Sequence, residues 1–271
     1  MRVGVIVTSR NDERLLQTLE SIGGQSLSPA VVVVADGSDD AWLAGRNLQD
    51  ECKERGARWL HIGGASVPRA RNMGLENLED MHTVAFLDTD EYAPEDWLKF
   101  LTEPIRADEA DFTGGPTRPS GKRTKYAEYL EVIEDRHYRL VAQDISTLPM
   151  GNSAWRREAF ETIGGFDESF TSAGEDYDIN LRALDQGYRG LFVPEAWVYH
   201  DQSHLDTAWK IIKRKYRYMV GGGMAYRKNK ALIKKLGVIV QQPKYWHWLE
   251  FFNPPLRMLA YFRARRWVKS T

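Results

Sequence analysis

The chain contains 271 residues, 42% of them hydrophobic, and carries a net charge of −1, so we expect a globular body. Its single cysteine, Cys52, excludes an intramolecular disulfide and favours a reducing cytoplasm, while the lack of any run of about 18 apolar residues argues against a membrane-spanning helix. Residues 1–200 contain 21 Lys and Arg against 35 Asp and Glu, whereas residues 201–271 contain 16 against 3, and an acidic body disfavours a nucleic-acid partner.

Three apolar runs in the first hundred residues predict buried strands. They are Val3–Val7, Val31–Ala35 and Val84–Leu87, and segments with helical spacing such as Leu15–Ile22 lie between them. This alternation predicts a mostly parallel α/β sheet covered by helices on both faces. Ligands bind at the carboxyl ends of such strands, so we expect the three polar loops that follow the runs to meet at one crevice.

The second half of the chain is less regular. The pattern predicts helices over Tyr126–Leu140, Arg156–Ile163 and Glu175–Leu184, and a short strand over Leu191–Val193. A further amphipathic helix is predicted from Leu205, with an apolar stripe of Trp209, Ile212, Tyr216 and Met219 and an end at Gly221–Gly223.

The last seventy residues combine positive charges with aromatic side chains. The basic positions are Lys210, Lys213, Arg214, Lys215 and Arg217, and the aromatic ones are Tyr245, Trp246, Trp248, Phe251, Phe252, Tyr261, Phe262 and Trp267. Such helices can lie in a membrane interface, or their aromatic residues can pack on the body or on a second copy of the chain. The expected location is the cytoplasm, with the inner face of the membrane as a further site.

Two carboxylates follow the third apolar run in the sequence Asp88-Thr89-Asp90. Carboxylate oxygens suit Mg²⁺ or Mn²⁺, and an ion held there would neutralise a departing diphosphate. Capping aspartates in a solvated turn would give the same pattern.

Four other polar sites allow both a functional and a structural interpretation. Asp36 can accept hydrogen bonds from a nucleobase or a ribose, and Arg71-Asn72 can donate them to a base or diphosphate. Glu175-Asp176 begins a predicted helix, where the dipole favours acids, yet one of these carboxylates could remove a proton from an acceptor hydroxyl. His200 can be a buried histidine or a ligand of Mn²⁺.

These segments occur in an order that resembles the inverting family-two glycosyltransferases of the GT-A fold. The matching segments are Val5–Asp12, Asp36–Asp40, Ala70–Gly74, Phe86–Asp90, Gly151–Arg157, Gly164–Glu168, Gly174–Asp178 and Val198–His200, which together cover about residues 2–200. The resemblance implies a Rossmann-like, mixed and mostly parallel sheet flanked by helices. We expect a catalytic domain over 1–204, with a nucleotide-binding half to about 110 and an acceptor half over 111–204, followed by a helical basic extension over 205–271.

The resemblance also implies roles for individual residues. Asp176 would be the general base, with Glu175 as the other member of the acidic pair. Metal ligands would be Asp88, Asp90 and His200, holding Mn²⁺ or Mg²⁺. Residues expected around the sugar nucleotide are Thr8, Arg10, Asp36, Asp39, Arg71, Asn72, Asp88, Thr89, Asn152 and Trp155.

The reaction implied is direct, inverting transfer of a sugar from a nucleoside-diphosphate-sugar to a hydroxyl of a glycan, a lipid-linked molecule or a small molecule. The Gln-x-x-Arg-Trp segment of processive synthases is missing, which favours single additions. A phosphatase similar to the haloacid dehalogenases, with Asp88 as nucleophile, and a non-catalytic module that binds sugar nucleotides are the alternatives. A nucleotidyltransferase would need a Gly-rich triphosphate loop, which Thr8–Asn11 does not offer.

Overall fold

The computed structural model describes residues 1–122, 124–141, 145–171, 173–238, 249 and 252–267. The strands are β1 (Val3–Ser9), β2 (Val31–Asp36), β3 (Ala57–His61), β4 (Thr83–Asp88), β5 (Glu91–Tyr92), β6 (Phe112–Gly114), β7 (Thr117–Ser120), β8 (Asn152–Arg156), β9 (Gly190–Phe192) and β10 (Val198–Asp201). The helices are α1 (Leu15–Gly23), α2 (Asp40–Leu43), α3 (Leu48–Glu54), α4 (Val67–Glu76), α5 (Trp97–Arg106), α6 (Lys125–Val141), α7 (Arg157–Ile163), α8 (Glu175–Asp185), α9 (Ala208–Lys228), α10 (Lys230–Leu236) and α11 (Asn253–Trp267).

The main sheet has seven strands in the order β3-β2-β1-β4-β8-β6-β9. Strands β3, β2, β1 and β4 run parallel, β8 is antiparallel to both β4 and β6, and β9 is parallel to β6. A smaller sheet of β5, β10 and β7 carries residues that follow the strand ends of the main sheet. The predicted mixed, mostly parallel α/β fold is confirmed.

The main sheet is buried on both faces, as its β-branched sequences require. Every residue of β1 is buried, and its side chains alternate between two cores: Val5 and Val7 lie in one, and Ile6 lies in the other. Helix α4 can approach the second face closely because Gly74 is there, since a Cβ at that position would lie 2.8 Å from the Ile6 side chain.

The helices predicted over 126–140, 156–163 and 175–184 and the strand predicted over 191–193 are confirmed, and each end lies within one residue of the prediction. The helix predicted from Leu205 to Gly221–Gly223 instead spans Ala208–Lys228. Gly221 does not end the helix; it lets α9 approach the loop before α8, because a Cβ there would lie 2.2 Å from the Ala173 carbonyl oxygen. The predicted stripe is also corrected at Trp209, which is 66% exposed.

The basic extension packs on the body through α9. Val220, Met224 and Ala225 of α9 share a buried cluster with Phe170, Tyr177 and Leu181 of the body and with Ala260 and Ala264 of α11. The aromatic residues Tyr245, Trp246, Trp248 and Phe251 lie outside the described residues, and so does the side chain of Trp267. Among the described residues, every helix is too short or too polar to cross a bilayer.

Candidate active site

The carboxyl ends of β1, β2 and β4 lie side by side at one edge of the main sheet. In the strand pairing Thr8 lies opposite Asp88, and Ser9 lies opposite Asp36. The Thr8 hydroxyl donates a hydrogen bond of 2.8 Å to Asp88 Oδ1. The loops that follow these strands therefore meet, as predicted, because parallel strands bring the loops that follow them to the same edge.

Asp36 lies at the base of this edge and is fully buried. Its Oδ1 accepts hydrogen bonds from the Ser38 backbone N–H at 3.1 Å and the Ser38 hydroxyl at 2.6 Å, and its Oδ2 accepts one from the Trp59 indole at 3.2 Å. The Trp59 ring stacks on His61 with centroids 5.2 Å apart. Asp36 thus orders a wall of aromatic rings beside the crevice.

The rim above Asp36 is polar and exposed. Asp39 Oδ2 accepts a hydrogen bond of 2.7 Å from the Asn11 amide, and Asp39 Oδ1 lies 3.4 Å from the Arg10 guanidinium. Asn11 adopts a left-handed backbone with φ of 51°, a conformation that asparagine tolerates better than most residues. Arg10 and Asp39 are each about half exposed at the side chain, so both remain accessible to a ligand in the crevice.

A buried arginine joins two acidic segments from distant parts of the chain. Arg71 comes from α4, and its side chain is 3% exposed. Its Nη2 lies 3.2 Å from Asp88 Oδ1, and its Nη1 lies 3.1 Å from Glu175 Oε1. Burial opposes the charge of Arg71, but Asp88 and Glu175 raise its pKa, so the guanidinium stays ionised beneath both carboxylates.

The acidic pair Glu175 and Asp176 forms the first turn of α8. Burial raises the pKa of both carboxyl groups, and the charge of Asp176 raises the pKa of Glu175 further. Arg71 acts in the opposite direction on both. Two neighbouring carboxyl groups with raised pKa values can exchange a proton with a hydroxyl more readily than solvated ones can.

Asp90 and His200 form a second polar pair, because β10 and β5 are antiparallel neighbours. Asp90 Oδ2 lies 3.4 Å from His200 Nε2 and 3.7 Å from the Arg14 guanidinium. Burial disfavours charge on both partners, yet their hydrogen bond and mutual attraction lower the pKa of Asp90 to about 2 and raise the pKa of His200 to about 9. The two groups therefore attract each other, and a metal ion bound at His200 Nε2 would have to displace the proton there.

His200 is oriented from its other side by residues that the sequence did not point to. Gln202 Nε2 lies 2.9 Å from His200 Nδ1 and also donates to Glu134 Oε1, which lies 3.5 Å from the Arg214 guanidinium. Glu134 belongs to α6 and Arg214 to α9, so helices from two regions fix the imidazole. Gln202 lies two residues after His200, immediately beyond the end of β10, and this spacing was the available signal.

Glu91 is a further acidic residue that sequence reasoning missed, although it directly follows Asp88-Thr89-Asp90. Burial and the charge of Asp88 raise its pKa to about 8. Gly151 packs on both acids, since a Cβ there would lie 2.5 Å from Asp88 Oδ2 and 3.1 Å from Glu91 Oε2. Glycine is therefore required at position 151 because the backbone there lies against the Asp88 carboxylate.

Four of the residues expected around the sugar nucleotide make contacts within the protein. The Asn152 amide is buried and bonds Trp97 Nε1 and the carbonyls of Pro116 and Ala196. Trp155 is a core residue stacked on Phe112, with centroids 4.3 Å apart. The amide of Asn72 holds the backbone of Phe166 and the carboxylate of Glu168, and the Thr89 hydroxyl donates to the Thr8 carbonyl. In this structure these side chains hold neighbouring segments of the protein together.

Within the described part of the chain, no group of three or more His, Cys, Asp or Glu side chains is arranged to hold a metal ion. Asp90 Oδ2 and His200 Nε2, at 3.4 Å, are nevertheless close enough to share one ion. Mg²⁺ and similar ions are often held by one or two protein ligands together with substrate phosphates and water. The donor set therefore fits a divalent cation that arrives with a diphosphate.

The family profile described as Glycosyl transferase family group 2 matches residues 83–268. The chain is 30% identical over 229 residues to the succinoglycan biosynthesis protein ExoM of Rhizobium meliloti (strain 1021), covering 78% of this chain and 71% of that protein. It is 28% identical to the pre-mycofactocin glycosyltransferase of Mycobacterium tuberculosis (strain CDC 1551 / Oshkosh), covering 82% of this chain but only 47% of that protein.

Among solved structures, residues 1–349 of S. aureus TarS in complex with UDP superpose with a TM-score of 0.57 at 18% identity. The superposition covers 87% of this chain and 71% of that structure. At this level of identity the likeness concerns the fold.

Proposed function

This chain belongs to glycosyl transferase family group 2 and is a nucleotide-sugar-dependent glycosyltransferase, and we propose that it uses a divalent metal ion and inverts the anomeric carbon. The observation that carries the proposal is the Arg71 bridge, with Asp88 at 3.2 Å on one side and Glu175 at 3.1 Å on the other. It joins the strand-end acids to the acids of α8 through one guanidinium. Carboxylates at the strand end would hold the metal ion that neutralises a departing diphosphate, and a carboxylate of α8 would take the proton of the attacking hydroxyl.

The nucleoside side of the site is assigned to the edge formed by β1 and β2. Arg10 and Asp39 offer exposed charges at the rim, and Thr8 lies next to Asp88 at the strand ends. Asp36 and Trp59 form the wall below them. We assign the base and ribose of the donor to this wall and rim, with Asp36 holding the wall in position through Ser38 and Trp59 rather than making the contact with the base that the sequence predicted.

Asp90 and His200 would hold the metal ion, with Asp88 in its outer shell. Carboxylate and imidazole ligands together are compatible with Mn²⁺ and with Mg²⁺. When bound, the ion supplies positive charge to the diphosphate as it leaves. Gln202 and Glu134 keep the His200 ring in place during the reaction.

Asp176 is the proposed general base. Glu175 is engaged by Arg71, whereas the Asp176 carboxylate accepts a hydrogen bond of 2.7 Å from the Tyr177 backbone N–H. Burial raises the pKa of Asp176, which favours proton uptake. Asp176 would take the acceptor proton as the acceptor oxygen bonds to the anomeric carbon, while the diphosphate leaves from the opposite face.

Neither alternative explains these contacts as well. A phosphatase with Asp88 as nucleophile gives no role to the acids of α8, and the Asp88 Oδ1 atom already accepts hydrogen bonds from Thr8 and Arg71. A module that only binds sugar nucleotides would not need a carboxyl pair with raised pKa values opposite the diphosphate.

The experiment is a thermal-shift panel of UDP-, GDP-, TDP- and CDP-sugars with and without Mn²⁺, followed by donor turnover. Stabilisation by one nucleotide only when Mn²⁺ is present supports the proposal, because a ligand of the native state raises its stability. Asp176→Asn should lower turnover by about 10²- to 10⁴-fold without removing donor binding. Asp185→Asn, at the other end of α8, is the control. The absence of any response to nucleotide or metal would overturn the assignment.

We also assign the outer face of α11 to the surface of an anionic membrane. The helix turns Ala260 and Ala264 inward, whereas Met258, Leu259 and Phe262 are each more than half exposed. Residues 251–271 contain five Lys and Arg and no Asp or Glu, so two copies joined by this face would repel each other. Negatively charged lipid headgroups would instead attract these basic residues.

The membrane contact is tested by sedimentation with phosphatidylcholine vesicles with and without phosphatidylglycerol. The wild-type protein should sediment only with the anionic vesicles, and Leu259→Asp should remain in solution. Lys99→Ala, on the body, should behave like the wild type. Dimerisation that Leu259→Asp abolishes, without vesicle binding, would assign the face to a second copy instead.

A further inference from the structure

A basic cavity of about 510 Å³ lies between α9, α11 and the segment that follows β10. Five cationic residues line it, namely Lys210, Lys213, Arg214, Arg217 and Arg263, and its described lining includes no Asp or Glu. The remaining lining includes His204, Leu205 and Val220. A cavity of this size can hold a sugar phosphate or a diphosphate group.

The positive charge in the cavity is only partly balanced. Lys210 pairs with Asp206 at 2.8 Å, and Arg214 lies 3.5 Å from Glu134. Lys213, Arg217 and Arg263 form no ion pair with a carboxylate of the described residues. Three cations directed at one space without acidic partners favour an anionic ligand.

The cavity adjoins the candidate active site at two places. On one side, Arg214 contacts Glu134, which binds Gln202 and through it the His200 ring. Burial disfavours the charge of Arg214, but Tyr218, Glu134 and Asp90 raise its pKa, so the charge of Asp90 reaches this wall.

On the other side, the cavity approaches the acids of α8. Val220 lines the cavity, and its neighbour Gly221 packs on the Ala173 backbone, two residues before Glu175. A ligand anchored in the cavity would therefore extend toward Asp176. The proposed mechanism assigns the donor diphosphate to the metal ion at Asp90 and His200, neither of which lines the cavity, so the cavity is available to the acceptor.

We propose that this cavity binds a phosphate group of the acceptor, so that the molecule receiving the sugar is a phosphate- or diphosphate-bearing glycan or lipid. The proposal rests on the proposed function, because it names the acceptor of the same site. Arg217 and Arg263 bind the phosphate oxygens as planar donors, and Lys213 adds a point charge.

The test is calorimetric titration of the full chain with inorganic pyrophosphate in the absence of divalent ions. Without a metal the donor side is acidic and repels the probe, so binding reports on the cavity. The double variant Arg217→Ala/Arg263→Ala should lose about tenfold in affinity for each removed cation, whereas Lys230→Ala, an exposed cation on α10, should bind like the wild type. A wild-type protein that does not bind pyrophosphate, or a double variant that binds equally well, overturns the proposal.

Two phosphate esters distinguish the sources of the ligand. If dihexanoyl phosphatidic acid binds more tightly than glycerol 3-phosphate, and the double variant weakens both, the acceptor phosphate belongs to a lipid. Equal affinities with the same loss in the variant assign it to a soluble molecule.

The thermal-shift response to nucleotide and Mn²⁺ separates this proposal from the proposed function. If nucleotide and Mn²⁺ still raise the unfolding temperature while pyrophosphate fails to bind, only the acceptor proposal is contradicted. If the response is missing while pyrophosphate binds through Arg217 and Arg263, the cavity is an anion site but the glycosyltransfer mechanism is contradicted. A loss of fold in the double variant is checked by its thermal unfolding; if it unfolds early, the single variants take its place.

Discussion

Arg71 Nη1 lies 3.1 Å from Glu175 Oε1, although the two residues are 104 positions apart in the chain. The second amino group of the same guanidinium lies 3.2 Å from Asp88 Oδ1. Since the Arg71 side chain is almost completely buried, the arginine supports the site from below. We infer that Arg71 positions the metal-side and base-side acids relative to each other.

Replacement of Arg71 should therefore reduce both stability and activity. Arg71→Ala leaves Asp88 and Glu175 without their buried partner, and we expect a loss of about 3–5 kcal/mol in the free energy of unfolding in urea. Arg71→Lys keeps the positive charge, but a single ammonium group cannot bind Asp88 and Glu175 with two separate nitrogens. We therefore expect this variant to lose less stability than Arg71→Ala while its turnover still falls. Arg69→Ala, exposed on the same helix, is the control. An Arg71→Ala protein as stable as the wild type would contradict this role.

The pH dependence of turnover should report the acidic pair. A general base works as the carboxylate, and burial raises the pKa of Asp176, so activity should be lost on acidification at a pH above the value of about 4 typical of a solvated aspartate. Asp176→Asn should remove this acid limb together with the activity. If Glu175→Gln removes the limb while Asp176→Asn keeps it, Glu175 is the base.

Two adjacent glycines of α9 should respond oppositely to alanine. At Gly221 a Cβ would lie 2.2 Å from the Ala173 carbonyl oxygen, so Gly221→Ala should destabilise the protein by about 1–3 kcal/mol. At Gly222 nothing lies within 4 Å of the added Cβ, and Gly222→Ala should stabilise the helix by up to about 1 kcal/mol. Thermal unfolding of both variants checks the pair. Equal effects would show that α9 does not press on this loop.

An ion pair between the body and α9 should make stability fall in acid. Lys228 Nζ lies 2.6 Å from Asp167 Oδ2, and although partial burial opposes the charge, hydrogen bonds from Lys228 and Ser169 lower the pKa of Asp167 to about 2. Because the folded pKa lies below the unfolded value of about 3.9, the contribution is complete above that value and disappears as the pH falls toward 2. The stability difference between wild type and Asp167→Asn should follow this course in urea titrations; a constant difference from pH 6 to pH 2 would exclude it.

The sheet and the meeting of its strand-end loops could be predicted because both depend on local patterns. The runs at Val3, Val31 and Val84 are continuous and β-branched, and the polar residues that follow them must meet once the strands are parallel. Contacts between residues far apart in the chain were harder to predict from the sequence. Asn152 and Trp155 lie in a segment that matches the family, but their side chains point into the framework, and no periodicity indicates this.

The end of α9 could not be predicted from the sequence either, because of its glycines. Alone, a run of three glycines indicates a helix end, because each costs about 1 kcal/mol relative to alanine in a helix. Packing against Ala173 overrides this local preference, and that contact exists only in the folded chain.

The sequence by itself determined the α/β class, the order of the acidic segments and the polarity of charge between body and extension. The tertiary structure decided which carboxylates share Arg71, that Gln202 and Glu134 hold His200, and that the cations of α9 and α11 face one cavity. The physical reason is the distance along the chain over which each kind of interaction acts. Strand and helix patterns arise between neighbours a few residues apart, whereas the burial and pairing of a charge depend on side chains that only folding brings together.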